Sequence, residues 1–367
     1  MIDSIHTARW LEQFVKQDID FTLLPSKKFR KVHPRILALI KDSQNATFLC
    51  IGKLPFGLTG YVDYARYCGP FANMSARKRK LQKLLKKSRF DYVHALEIQG
   101  AGYLLLDLDT SCSNKTILSN WGSDIYYYKN FDDHLQKIKK LLSQIYAYSA
   151  ECIRDYNLAT QLGFKGIFLP CIPNAGGHVI PDALKSPLAR NQIIVKGYGG
   201  ELGRADCVVS VTATILEQYP WANFLFYSVT PDIYRLLSDL KLDYGDRIQI
   251  HRIEKKLSHD EIQREFQRSR IYIGCSISDG VSTSFLESLA NGAYPIQSNT
   301  SCASEWVTKG ARASIIPIDS QKLLSEVIRV IENITLLEEA MDSNMKIASD
   351  YLSKEFIASE SYKFYQI

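Results

Sequence analysis

The sequence predicts an α/β protein built from two doubly wound domains, and three observations carry that expectation. Short apolar runs alternate with helix-period segments along nearly the whole chain. The alternation restarts after a polar, proline-bearing stretch, 181–191. At 367 residues the chain is long enough for two cores. Strands of a parallel sheet covered by helices on both faces have this near-continuous apolar character.

Met1 to Ser4 is too short for a full opening strand, and Thr7 to Lys16 already has a helix pattern. Runs at 21–24, 47–51, 92–95, 116–118 and 166–169 have the length and apolar content of strands, while 134–150 has the pattern of a helix. After the linker, 193–195, 224–227, 248–250, 271–273 and 294–296 form a second strand set. The stretch 336–367 is expected to be helical with a break near Lys354. This places one α/β domain at 1–185, a second at 186–349, and a helical tail, 350–367, that returns to the first domain. Ligands of such sheets lie beyond the carboxyl ends of the strands, so a cleft between the two is the expected site.

Composition is that of an ordinary globular protein, with 46% hydrophobic and 23% charged residues. No run of about 18 apolar residues exists to span a membrane, and charged residues interrupt every apolar stretch near the N-terminus, so no leader is expected. The cysteines, at 50, 68, 112, 152, 171, 207, 275 and 302, include no C-x-x-C pair. They read as buried thiols of a reducing compartment, so a soluble cytoplasmic protein is expected, with no zinc site or disulfide frame. The net charge of +6 is concentrated in 75–90, where Arg77, Lys78, Arg79, Lys80, Lys83, Lys86, Lys87 and Arg89 surround Leu81, Leu84 and Leu85. Two readings stand: a solvated helix face packed by its leucines, or a contact with the inner face of an anionic membrane. Nucleic acid is not expected, because no aromatic residues interleave with the charges.

The stretch Asp279-Gly-Val-Ser282-Thr283-Ser284-Phe-Leu-Glu287 follows an apolar strand and opens a helix pattern through Phe285, Leu286 and Leu289. A strand, a turn of small residues and a helix start offer outward N–H groups and a favourable dipole to a phosphate. The two carboxylates bracketing the turn suit the hydroxyls of a sugar or ribose. Together these features suggest a nucleotide sugar. A second signal follows Val195, where Lys196 and Arg204 flank Gly197-Tyr-Gly199-Gly200-Glu-Leu-Gly203. Glycine lets a backbone approach a diphosphate, and two cations neutralise it. Leu202 breaks the G-x-G-x-x-G pattern and no acid ends the next strand, so NAD is not expected.

These residues resemble the E-x7-E segment of retaining GT-B glycosyltransferases of the family 4-like type, in Asp279-x7-Glu287 followed by Leu289-Ala-Asn-Gly-Ala-Tyr-Pro-Ile296. Ser119-Asn-Trp121-Gly-Ser-Asp124 is similar to the family's H-G-S-D-type loop, and Pro173-Asn-Ala-Gly-Gly177 to its P-N-G-G segment. Asp3 to Trp10 and His94 to Tyr103 look like a bacterial polysaccharide branch. The resemblance implies two facing Rossmann-like domains of the GT-B fold, a nucleotide-sugar donor, a glycan or lipid-linked oligosaccharide acceptor, and neither metal nor cofactor. It implies that Glu287 holds the ribose hydroxyls, that Asp279 contacts the transferred sugar, and that Lys196 and Arg204 stabilise the leaving diphosphate. Asp279 is one methylene shorter than the family's first glutamate, and the cations depart from the usual R-x5-K spacing. Trp121 stands where many members carry a histidine, leaving Asp124, Glu97 and His6 as polar candidates on the acceptor side.

Two competing readings have sequence support. Asp107-Leu-Asp109 has the form of a metal-binding D-x-D, against two exposed acids ending a helix. A non-catalytic sugar-nucleotide-binding subunit is the second, motivated by Asp279, Trp121 and the short opening strand. His33, His134, His251 and His259 sit among polar residues and are expected at the surface. His94 is expected to be a satisfied strand-end residue. His178, after Gly177, has a functional and a structural reading. Tyr126-Tyr-Tyr128 is expected to pack.

Overall fold

A computed structural model describes residues 3–15, 17–27, 32–42, 46–48, 74–108, 115–255 and 257–367. The sequence expectations at Lys16, Leu49 to Ile51, Asp109, Cys50, Cys68 and Cys112 lie outside the described residues. The chain divides into two compact units, Met1–Gly177 with Ile357–Ile367, and His178–Phe356.

The first unit opens with α1 (Ile5–Glu12), whose N-cap Ser4 accepts from His6 N–H. A short parallel pair follows, β1 (Phe21–Leu23) with β2 (Ala46–Phe48), separated by α2 (Pro34–Asp42). The main sheet is parallel, in the order β3 (Tyr92–Leu96), β4 (Lys115–Ser119), β5 (Ala147–Ser149), β6 (Ile167–Phe168). No ladder joins the pair to the main sheet among the described residues. The basic helix α3 (Met74–Lys87) and the short α4 (Tyr103–Leu105) precede β4. Next come α5 (Ser123–Tyr126), α6 (Asp132–Leu142) and α7 (Ile153–Gln161). Leu118, Ile125, Ile138, Leu141 and Tyr148 form the core, none more than 1% exposed.

The helix expected over 134–150 is a correction. It ends at Leu142, and Ala147–Ser149 is a central strand. Ile117 and Leu118 of β4 pair with Ala147 and Tyr148, and Ile167 and Phe168 pair on the other side. Sheet pairing on both edges overrides the weak intrinsic strand preference of Ala-Tyr-Ser.

The end of the chain packs into this unit. Phe364 is fully buried against Trp10 at a ring distance of 5.2 Å. His94 Nδ1 lies 2.8 Å from the Tyr365 hydroxyl, and Nε2 lies 2.7 Å from Ser119 Oγ. Burial holds the imidazole neutral, its pKa lowered from 6.5 to about 3. The satisfied, partly buried histidine expected at 94 is found, in the middle of β3 rather than at its end. Tyr92 Oη donates to the Ile367 carbonyl at 2.7 Å, and Lys115 donates to the same oxygen.

The second unit is one six-stranded parallel sheet. Its strands are β7 (Gln192–Lys196), β8 (Asn223–Val229), β9 (Ile248–Arg252), β10 (Ser269–Gly274), β11 (Tyr294–Ser298) and β12 (Ser314–Ile316), in spatial order β12-β11-β10-β7-β8-β9. The connecting helices are α8 (Ala205–Gln218), α9 (Pro231–Tyr244), α10 (His259–Arg268), α11 (Thr283–Ala290), α12 (Ala303–Thr308) and α13 (Ser320–Glu332). The central strands are buried on both faces, which is why Ile193-Ile-Val195 and Ile271-Tyr-Ile273 are unbroken apolar runs. Local signals set the helix starts: Ser258 and Glu261 form a capping box for α10, and Pro231 opens α9. The terminal helices α14 (Ile334–Leu352) and α15 (Lys354–Tyr362) break at Ser353, next to the expected point. The strand order reverses between β7 and β10, where doubly wound sheets bind ligands.

Candidate functional site

At the carboxyl edge of the second sheet, backbone bonds tie together the loops that the sequence singled out. Gly203 and Ser276 form an isolated antiparallel bridge. Ile277 N–H donates to Leu202 at 2.9 Å, and Arg204 N–H donates to Cys275 at 3.1 Å. The loop after β11 joins them: Ser276 N–H donates to Ser298 Oγ at 3.1 Å, and Cys302 N–H to the Gly280 carbonyl at 2.7 Å. The glycine-rich loop and the Asp279 loop, far apart in sequence, are thus one structure at the point where strand order reverses.

Helix α11 starts at Thr283, and its N-cap Ser282 makes no side-chain cap. The first-turn amides of a helix have no intrahelical partner, so this end is suited to an anion. Two buried tyrosines lie beneath it. Tyr227 Oη donates to Ser284 Oγ at 2.5 Å, and Tyr272 Oη lies 3.5 Å from Ser282 Oγ. Burial raises both phenols, and the Glu287 carboxylate adds to the rise at each; at Tyr272 Asp279 adds as well. Asp279 and Glu287 thus lie close enough to act on one buried hydroxyl. Asp279 is half-buried in its loop, and Glu287 is 6% exposed on the second turn of α11. Glu287 Oε1 lies 3.5 Å from His259 Nδ1.

The glycine-rich loop is internally engaged. Gly199 N–H donates to Thr230 Oγ1 at 3.0 Å and Gly200 N–H to Asp232 Oδ2 at 2.9 Å. Thr230 and the amides around Asp232 hold that carboxyl below its ordinary range. Only glycine fits at 199, where a Cβ would stand 2.2 Å from Asp232 Oδ2, and Gly200 has φ +71°. Gly197 N–H donates to Tyr227 at 2.8 Å. The flanking cations differ. Lys196 Nζ lies 5.7 Å from the Tyr198 ring centre and is in no ion pair among the described residues, whereas Arg204 is paired with Asp206 at 3.0 Å. The sequence showed both cations, but not Asp206 as the partner of Arg204 or Asp232 as the acceptor of the Gly200 amide.

The candidates of the first unit also cluster. His6 and Trp121 meet edge to face at 5.8 Å. Asp124, at the start of α5, accepts from Ile98 N–H at 3.0 Å, and its own carbonyl accepts from Gln99 at 2.7 Å. Glu97 takes Lys27 on one oxygen at 2.5 Å and Ala101 N–H on the other at 3.1 Å. Glu97 has φ 103°, a left-handed conformation that costs a side-chain-bearing residue about 1–3 kcal/mol. It leads into one π-helical turn, Ile98–Gly102, a distortion frequent at functional sites. Burial first, then the nearby Glu97 charge, raises Asp124 from 3.8 to about 7. The Trp121 indole N–H is buried with no hydrogen-bond partner among the described residues.

Other expectations resolve structurally. Leu81 of α3 is buried and Leu85 packs on the same core, while Arg79, Lys83, Lys86, Lys87 and Arg89 are exposed. The helix packs by its leucines and turns these five cations to water, while Arg77 is buried. Asp107 pairs with Lys140 at 2.6 Å. His134 is half-buried under Tyr103, whose hydroxyl lies 2.8 Å from Nδ1, and His259 is only 18% exposed beside Glu287. His33 and His251 are half-buried as well. The four are thus partly rather than fully exposed, with His134 packed on Tyr103 and Tyr128 and His259 beside Glu287. His178 is buried. Tyr127 and Tyr128 pack against Phe131. Cys152, Cys171, Cys207, Cys275 and Cys302 form no disulfide among the described residues. No helix among the described residues is long and apolar enough to cross a membrane.

Residues 1–154 match the family model described as glycosyl transferase 4-like, and residues 236–347 match glycosyl transferases group 1. No curated protein sequence matches the chain. Among solved structures, Anabaena HepE in complex with UDP and glucose is similar with a TM-score of 0.73 at 12% identity, covering 100% of this chain and 96% of HepE. Sucrose-phosphate synthase from Thermosynechococcus elongatus is similar at 0.64 and 12% identity, covering 88% and 84%. The pneumococcal O-GlcNAc transferase GtfA with UDP and GlcNAc is similar at 0.59 and 16% identity, covering 79% of this chain and 59% of GtfA. With two glycosyltransferase models on successive parts of the chain and parallel-sheet units of the GT-B fold beneath them, the protein is a GT-B glycosyltransferase.

Proposed function

We propose that this enzyme moves a sugar from a nucleotide-sugar donor to a hydroxyl of a glycan or lipid-linked oligosaccharide, with retention and without a metal, in the synthesis of a surface polysaccharide. The observation that carries the reading is the start of α11, with no side-chain cap at Ser282, beside the strand-order reversal and followed one turn later by the buried Glu287. The amides of Thr283 and Ser284 take the diphosphate, Glu287 takes the ribose hydroxyls, and Asp279 takes a hydroxyl of the transferred sugar. HepE and GtfA, of the same fold, were each solved with UDP.

In this reaction the anomeric C–O bond to the diphosphate breaks while the acceptor oxygen forms its bond on the same face of the sugar. The departing phosphate oxygen takes the acceptor proton. Negative charge grows on the diphosphate, so groups already aimed there, the helix-end amides and Lys196, stabilise the transition state more than the ground state. Exposed Arg79, Lys83, Lys86 and Lys87 would draw the enzyme to an anionic surface that carries a lipid-linked acceptor.

The test is turnover of nucleotide sugars with and without EDTA, with the product's anomeric configuration read by proton NMR. Retained configuration and full activity in chelator are expected. An inverted product or loss of activity restored by a divalent cation contradicts the reading.

A further inference from the structure

We infer that His259 is a positioning residue for Glu287, setting the carboxylate that meets the donor's ribose. The inference rests on the ribose role proposed for Glu287 and adds a residue that no donor motif in the sequence contains. His259 Nδ1 lies 3.5 Å from Glu287 Oε1, with the two side chains 18% and 7% exposed. A carboxylate so far out of water is strongly destabilised without a partner.

The contact belongs to a seam between two helices. His259, Gln263 and Gln267 recur at four-residue spacing and so share one face of α10. Glu287 on α11 and Asn291 at its C-cap have the same spacing. Gln263 Oε1 accepts from Asn291 Nδ2 at 2.8 Å, and Gln267 Nε2 donates to Asn291 Oδ1 at 3.1 Å. Asn291 Nδ2 also donates to the Glu287 carbonyl at 2.8 Å. His259 itself is fixed from below, because the Ser258–Glu261 capping box sets the first turn of α10. The seam fixes the backbone at both ends, and His259 fixes the carboxylate. A pre-set carboxylate spends less binding energy on being ordered by the ligand. Its effect falls on ribose recognition and leaves bond breaking alone.

The test measures binding of UDP, GDP and ADP and of their 2′-deoxy forms to the full-length protein, continuing with the pair that binds, alongside steady-state kinetics. His259→Ala is expected to raise donor KM about tenfold with kcat little changed. It should also shrink the preference for the ribo over the 2′-deoxy diphosphate. His259→Asn, whose amide nitrogen stands near the place of Nδ1, should restore most of both. Combined with Glu287→Gln, the losses should be clearly less than additive. If Glu287→Gln weakens binding while His259→Ala leaves the ribo preference intact, or if the losses add, the positioning role is overturned. If Glu287→Gln leaves binding unchanged, or no diphosphate binds, the ribose reading beneath it fails instead.

Discussion

Arg204 is held by Asp206, two residues along its own chain, with Nη2 to Oδ2 at 3.0 Å. The pairing raises the guanidinium pKa further and offsets its charge locally. Lys196, at the other end of the same glycine-rich loop, is in no such pair among the described residues. The two cations that look equivalent in the sequence therefore differ in how far their charge is already offset within the loop.

The first prediction follows from that inequality. Lys196→Ala should lower kcat on the order of 10²–10³-fold, the usual loss for one donor aimed at developing charge. Arg204→Ala should lower it by about tenfold or less, as expected for a partly exposed, already paired cation. Initial rates of nucleoside diphosphate release measure both. Equal losses, or near-normal turnover in Lys196→Ala, would count against the assignment.

Asp124 gives a prediction in pH. Its folded-state pKa of about 7 stands above the ordinary 3.8, so the native state binds this proton more tightly than the unfolded chain. The resulting stability is fully present below about pH 3.8 and is lost as pH rises through about 7. Asp124→Asn keeps an acceptor for Ile98 N–H and cannot ionise. Its stability relative to the parent should therefore improve steadily from pH 4 to pH 7. Urea unfolding at several pH values reads this, and a difference that does not change with pH contradicts it.

Packing of the chain end gives the third. Phe364 is fully buried between Trp10 and His94, so Phe364→Ala should cost about 3–5 kcal/mol in the unfolding free energy of the first unit. Denaturant titration followed by tryptophan fluorescence measures it, since Trp10 lies in the cluster. A loss below about 1 kcal/mol would mean that the segment is not part of that core.

How much of this was legible in the sequence depends on the range of the interaction. Five of the six strands of the second sheet were legible because burial on both faces makes runs such as Ile193-Ile-Val195 unbroken, whereas the short edge strand β12 was not expected. The start of α11 was legible because the small residues and the apolar spacing are local. Ala147–Ser149 was not, because its strand state is imposed by β4 and β6 and its residues carry little preference of their own. Asp232 and His259 were missed for the same reason. Their partners, Gly200 and Glu287, lie across intervening strands, and neither contact leaves a local pattern.

The most direct test of the central claim is a crystal structure of the enzyme with a bound nucleoside diphosphate sugar. The account predicts the diphosphate at the Thr283 and Ser284 amides, with Glu287 within hydrogen-bond distance of both ribose hydroxyls. A donor bound with its phosphates away from α11, or with Glu287 turned from the ribose, would contradict it.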